Sequence, residues 1–243
     1  MAPRFLLNGD SAVSVELGTE INIETSKKVR ALMAALETCK TDAIVETVPA
    51  YASLMIHYRP ELMNIYQLKE LVSRCLDSGE KKEQDKAVIT EIPVLYGGDT
   101  GMDLEECARM EGISVPELIS IHSGFDYYVY MLGFAPGHPY CARMERPFSF
   151  KRRTEPRIKV GAGSVVVSGE LSNILPFDQP CGWNVIGNTP VKLCDYSKPE
   201  PFLLEAGRWI RFIPVSEPEY KEILREAELG NYKCRELEKV VEH

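Results

Sequence analysis

The chain has no Cys-x-x-Cys pair, and its seven cysteines (Cys39, Cys75, Cys107, Cys141, Cys181, Cys194 and Cys234) stand singly. An odd, scattered set argues against a disulfide framework or a zinc ribbon, and fits thiols in a reducing cytosol. No apolar run approaches membrane-spanning length. Met1-Ala2-Pro3-Arg4-Phe5 shows no basic region leading into a long apolar core, so no secretory signal is expected and the location is read as cytoplasmic. Dense basic blocks are absent and the formal charge is −8, which argues against nucleic acid as a partner. The four histidines, His57, His122, His138 and His243, lack metal-ligand spacing. There is no phosphate-binding Gly-x-x-x-x-Gly-Lys loop and no Gly-x-Ser-x-Gly elbow. Gly161-Ala162-Gly163-Ser164 begins like a dinucleotide loop, but lacks the third glycine and leads into a strand.

What is present is an unusual stretch, Tyr130-Met131-Leu132-Gly133-Phe134-Ala135-Pro136-Gly137-His138-Pro139-Tyr140. Its glycines and prolines suit neither a helix nor a strand interior, and it is too apolar for a solvated loop. It reads either as a shaped wall whose backbone approaches a ligand, or as a corner turning the chain under a core. Downstream, Lys151-Arg152-Arg153-Thr154-Glu155-Pro156-Arg157-Ile158-Lys159 carries five cations in nine positions of an acidic protein. Arginine forks suit carboxylate or phosphate. A solvated, salt-linked turn is the alternative. Between the aromatic stretch and Gly161–Ser164, the loop would line a cleft with Tyr128, Phe134, Pro136, His138, Tyr140, Arg153 and Arg157.

The pattern divides the chain near residue 80. Before it, Phe5–Leu7, Val13–Val15, Ile44–Val48 and Ser53–Tyr58 read as strands. Val29, Leu32, Met33 and Leu36, and then Ile65, Leu68, Leu71, Val72, Cys75 and Leu76, mark buried stripes of two helices. Helices on one face of a small antiparallel sheet make an α+β sandwich. The wholly polar Asp77–Lys86 predicts a flexible joint. Beyond it come a strand over Val88–Tyr96 and two short helices. The second helix is capped by Ser114 with Glu117, and Ile113 is placed to staple Leu118. Strands follow at Tyr127–Leu132, Ser164–Ser168, Trp183–Ile186, Val191–Leu193 and Trp209–Ile213, the signature of a barrel or sandwich. A second capping box, Ser216 with Glu219, opens a helix with an apolar face of Tyr220, Ile223, Leu224 and Ala227. A short charged helix is expected to run on to the C-terminus. His57 reads as a surface histidine. His122 closes a helix, where it either meets C-terminal carbonyls or acts in a site.

Several segments in order resemble one family. They include Pro3-Arg4-Phe5-Leu6, Val48-Pro49-Ala50-Tyr51, Ile92–Gly98, Asp103-Leu104-Glu105-Glu106, His122-Ser123, Tyr128–Phe134, Pro136-Gly137, Pro156-Arg157, Ala162–Val165 and Gly182–Gly187. This set resembles the B-subunit family of bacterial 5-oxoprolinase, which also takes in allophanate hydrolase subunit 1, carboxyltransferase-domain halves and sporulation-kinase inhibitors. The resemblance implies an α+β fold. A small ferredoxin-like α+β N-terminal domain (1–80) would precede a cyclophilin-like β-barrel C-terminal domain (87–215) and a helical extension (216–243). The implied activity is ATP-dependent opening of 5-oxoproline to glutamate. ATP would be a co-substrate of the assembled complex, with nothing tightly bound to the isolated chain.

The implied partners are a second cyclophilin-like subunit, of the C-subunit type, and a third hydrolytic subunit. By position, His122, Arg153 and Arg157 would be catalytic. Tyr128, Phe134, Pro136, Gly137, His138, Tyr140 and Ser164 would bind substrate. The alternatives are a carboxyltransferase or allophanate-hydrolase-like subunit, and a non-catalytic histidine-kinase inhibitor. The chain departs from the family pattern at His138, where Phe is usual, and at Cys141-Ala142-Arg143, Gly161, Leu171, Asn173 and Cys181. A titratable ring at position 138 predicts ligand affinity that varies with pH near neutrality.

Overall fold

The computed structural model describes residues 3–77, 86–142 and 147–240, without the side chains of 86–87 and 239–240. Residues 78–85 of the expected joint, and Arg143, lie outside these. The chain forms two compact units, Met1–Asp85 and Lys86–His243.

In the first unit β1 (Arg4–Asn8), β2 (Ala12–Glu16), β3 (Ile44–Pro49) and β4 (Ser53–Tyr58) form an antiparallel sheet in the order β1-β2-β4-β3. Alternation buries Val13 and Val15 on β2, and Leu54 and Ile56 on β4. Against them lie Val29, Leu32 and Leu36 of α1 (Ile23–Thr38), and Leu68 and Val72 of α2 (Ile65–Asp77). Each such side chain contributes about 2 kcal/mol on leaving water. Asn22 starts α1 by accepting the Thr25 N–H at 2.8 Å. Asn64 starts α2 by accepting the Tyr66 and Gln67 N–H groups, while the Gln67 side chain accepts the Asn64 N–H. The strand order is ferredoxin-like, but the edge strand that this plan places last comes first here, as β1.

The second unit begins with β5 (Lys86–Tyr96), α3 (Leu104–Glu111) and α4 (Val115–Ser123). Strands β6 (Asp126–Leu132), β7 (Pro139–Ala142), β8 (Arg157–Val160), β9 (Ser164–Ser168), β10 (Leu171–Ile174), β11 (Gln179–Cys181), β12 (Asn184–Asn188) and β13 (Trp209–Pro214) follow, then α5 (Glu217–Glu228) and β14 (Glu236–Val240). The main sheet runs β12-β9-β10-β7-β6-β13-β5-β14, and β12 also pairs with β5. Seven strands therefore close into a mixed barrel, with β14 on the first half of β5. Only β13 and β5 run parallel in that ring. Val129, Val165, Val167, Ile174 and Phe212 fill the interior, and Leu104 of α3 and Leu118 of α4 pack against them. On the outer face a two-stranded sheet, β8 with β11, covers a smaller cluster of Val160, Val166, Leu175 and Val185.

Two expectations from the pattern need correction. Val191–Leu193 is not a strand; beside it stands a single bridge between Cys194 and Phe202. The charged tail expected as a helix is the strand β14, paired antiparallel with β5 from Glu236↔Thr90 to Val240↔Lys86. Residues 216–240, the helix α5 and then the strand β14, thus belong to the second unit. The capping box of α5 forms, with Glu219 accepting from both the Ser216 N–H and its hydroxyl. Tyr220 on the apolar face of α5 donates to Asn188 of β12 at 2.6 Å, so this face docks on its own chain.

Candidate functional site

Two loops carry most of the expected site residues, the basic loop before β8 and the aromatic stretch between β6 and β7. The basic loop feeds β8, and both of its site arginines reach one carboxylate. Arg157 binds Asp103 through two nitrogens at 2.6 and 2.8 Å, and Arg153 donates to the same carboxylate at 3.2 Å. Asp103 precedes α3 and is only 4% exposed. It also accepts the Val185 N–H at 2.8 Å. One buried anion thus aligns two cations, leaving a formal surplus of one positive charge. Asp103 hydrogen-bonded to Arg157 holds that guanidinium's pKa above its usual value. The Arg153 Nε is buried without a hydrogen-bond partner. The loop backbone is held as well, with the Arg153 N–H on the Gly182 carbonyl at 2.7 Å.

The aromatic stretch forms the adjoining wall. His138 is 5% exposed, and its ring nitrogens face two amides. The Asn173 Nδ2 is 3.3 Å from Nε2, and the Gln179 amide is 3.3 Å from Nδ1. Asn173 is oriented by the Cys141 N–H, which donates to its Oδ1 at 3.1 Å. Its NH₂ must therefore donate to Nε2, which puts the imidazole proton on Nδ1. The atom placed there is the Gln179 Nε2, and because Nδ1–H needs an acceptor the amide is assigned the flipped way, oxygen toward Nδ1 and NH₂ outward. The rings of Tyr140 and Phe134 lie 5.1 and 5.8 Å from that of His138. Phe134 has φ +67° and is 75% exposed. A bulky residue in the left-handed region costs about 1–2 kcal/mol, so the loop holds this ring outward at a cost. Gly137 is required behind it: at φ +75° a Cβ would press on Cys194, Leu193 and Phe202 at 3.1–3.3 Å.

β11 joins the two halves. Gln179, which touches His138, and Cys181, registered against Arg157, are two residues apart on it. Phe134, His138 and Tyr140 thus form one group and Arg153 and Arg157 another, and β11 touches each of them. Pro136 is exposed in the same turn.

Other expected site residues fall elsewhere. His122 is fully buried beside Phe212, at a ring distance of 4.6 Å, with Tyr96 Oη and Ser172 Oγ each 2.8 Å from its nitrogens. It is a satisfied core histidine that no substrate can reach, which corrects the catalytic expectation. Tyr128 is buried, with its ring against those of Tyr130 and Trp209. Ser164 opens β9, directly after a tight structural turn. Its neighbour Gly163 has φ +78°, and a Cβ there would meet the Thr189 carbonyl at 2.3 Å. Asn188 bonds the Ala162 carbonyl at 2.9 Å. His57 stands 4.0 Å from Glu46, across β3 and β4. Burial lowers the pKa of His122 to about 3 and that of His138 to about 4. His138 is therefore neutral throughout the physiological range, which overturns the expected titration near neutrality.

Two residues that matter carry little signal in the sequence. Asp103 sits in Asp103-Leu104-Glu105-Glu106, where acids at a helix start read as dipole partners. Gln179 sits in a short polar strand with no periodicity to mark it.

The chain thus combines a closed seven-stranded barrel with an outer two-stranded sheet whose Arg157 pairs with a buried aspartate. The family described as carboxyltransferase domain, subdomain C and D, matches residues 3–204, and the chain belongs to it. Within it the relatives are B subunits of 5-oxoprolinase. That of Bacillus subtilis is 35% identical over 224 residues, spanning 87% of this chain and 92% of the relative. That of Escherichia coli O157:H7 is 34% identical over 215 residues, spanning 88% and 97%. Among solved structures the urea amidolyase of K. lactis superposes with a TM-score of 0.82 at 18% identity, covering 98% of this chain and 16% of that one. That likeness speaks to the fold alone.

Proposed function

We propose that this chain is the B subunit of an ATP-dependent 5-oxoprolinase that acts in the cytoplasm. It would work with a second cyclophilin-like subunit and a third hydrolytic subunit. The observation that carries the reading is the pairing of Arg153 and Arg157 on Asp103, next to a neutral, polar wall. It is supported by near full-length likeness to subunits of that name.

The substrate has two recognisable ends. Its carboxylate suits the surplus charge of the arginine pair. Its lactam is a cis amide, with N–H and C=O on one edge, and a primary amide matches such an edge in both bonds. Gln179, oriented by His138, offers that amide. Phe134 and Tyr140 cover the ring from water. The lactam carbonyl is a poor electrophile, and ATP supplies the activating phosphoryl group in the assembly. The cations of this chain then offset charge gathering on the substrate. Within the described residues there is no cluster of acids, cysteines and histidines that could hold a metal.

The test is coexpression with the two candidate partner subunits. The expected outcome is 5-oxoproline- and ATP-dependent glutamate formation by the complex and none by the chain alone. Arg157→Lys, which loses the bidentate fork, should lower kcat/KM about 100-fold with little change in melting temperature. A three-subunit complex that makes no glutamate overturns the reading. Turnover by the single chain overturns the need for partners.

A further inference from the structure

The first unit carries a chemical feature that the proposed reaction does not use. Cys39 ends α1, its Sγ 3.3 Å from the Ala35 carbonyl. Cys75 lies in the last turns of α2. The two sulfurs are 3.8 Å apart, although 36 positions separate them in sequence. Both helices are fixed to the same sheet by Leu32 and Leu36 on one and Leu68 and Val72 on the other, so the thiols are held together by the core. Cys39 is exposed and Cys75 half-buried. A hollow of about 350 Å³, lined by Cys39, Met63, Gln67, Glu70 and Arg74 among others, opens onto the first sulfur. The other five cysteines belong to the second unit, and Cys107, Cys141 and Cys194 among them are buried.

We propose that Cys39 and Cys75 are a dithiol modification site, which a peroxide converts to a disulfide tying the end of α1 to the end of α2.

The steps balance without a cofactor. The Cys39 thiolate attacks one peroxide oxygen and the O–O bond breaks. The departing hydroxide takes a proton to become water, and Cys39 is left as a sulfenic acid. The Cys75 sulfur then attacks the Cys39 sulfur. The S–O bond breaks, and the leaving hydroxide carries off the Cys75 proton as a second water. Two thiols and one hydrogen peroxide give one disulfide and two waters, the sulfurs being oxidised and the peroxide oxygens reduced. The order follows from position. Cys39 faces the hollow, whereas burial and the hydrogen bond with Cys39 raise the pKa of Cys75 to about 11 and keep it a thiol until Cys39 is oxidised. In a reducing cytosol such a bond is transient, as expected of a sensor and not of a structural staple.

The experiment treats the reduced full chain with one equivalent of hydrogen peroxide. The expected result is a mass loss of about 2 Da, reversed by dithiothreitol, with a Cys39–Cys75 peptide in the non-reduced digest. Cys39→Ser and Cys75→Ser should each abolish that peptide while leaving circular dichroism unchanged. In the Cys75→Ser chain, dimedone should trap a sulfenic acid at Cys39. Mass gains of one or more oxygens with the two residues unlinked, or a disulfide through other cysteines, would overturn the proposal.

Discussion

His122 and His138 are both buried, both neutral and both bonded through two nitrogens, yet their surroundings differ in kind. Inside the barrel His122 meets hydroxyls, Tyr96 and Ser172, whose protons rotate to suit either tautomer. On the outer face His138 meets amides, and Asn173 is fixed by the Cys141 N–H, so one tautomer is imposed. The first arrangement satisfies a polar group in a core. The second fixes the orientation of a polar group, the Gln179 amide. Burial alone does not distinguish a structural histidine from one that shapes a site; the freedom of its partners does.

The largest effect that would test this contrast is in the core. His122→Ala should destabilise the second unit by about 3–5 kcal/mol in urea unfolding, because it opens a cavity and leaves two buried hydroxyls unpaired. Folded enzyme should keep its KM. A smaller loss would mean that the barrel collapses around the gap.

The next test uses pH. Both histidines have folded pKa values below the unfolded value near 6.5, so the unfolded chain binds protons that the folded chain refuses. Their contribution is present in full above pH 6.5 and is lost as pH falls, toward about 4 for His138 and about 3 for His122. Between pH 7 and 5 stability should drop by about 4 kcal/mol, roughly half of it from each ring. Unfolding midpoints of His122→Gln and His138→Phe should each show about half the wild-type slope. An unchanged slope in either variant would mean that its ring already titrates normally.

The smallest stability effect is expected at His138. His138→Phe should change stability by about 1 kcal/mol, since an aromatic ring refills the space while Asn173 and Gln179 lose a partner. In the assembled enzyme, KM for 5-oxoproline should rise several-fold with kcat changed less, because Gln179 is then unoriented. A normal KM would leave Gln179 without a role in recognition.

Much of this was legible in the sequence. The helix stripes at Val29–Leu36 and Leu68–Val72, the cap at Ser114 and the box at Ser216 fix local structure through local chemistry, and they are found where the pattern puts them. The tail misled because Glu236-Leu237-Glu238-Lys239 is made of good helix formers, and only pairing with β5, well over a hundred residues earlier, makes it a strand. The arginines and the aromatic wall were visible by composition. Asp103 was not, because its partners lie 50 and 54 residues away. His122 was misjudged because its position at a helix end suggested carbonyl partners, whereas Ser172, which bonds it, belongs to a strand 50 residues on.

The strand β5 has a kinetic consequence. It is the first strand of its unit to be synthesised, and among the described residues its strand partners, β12, β13 and β14, all lie at residue 184 or beyond. The first unit can complete its sheet as soon as α2 has emerged. β5 must wait, with Ile89, Ile92 and Val94 unburied, until almost the whole chain has left the ribosome. Closing so long a loop is slow, and an unpaired apolar strand invites association in the meantime. The barrel is therefore the late and vulnerable step of folding, and a chain cut short before Trp209 would lack the parallel partner on which its closure depends.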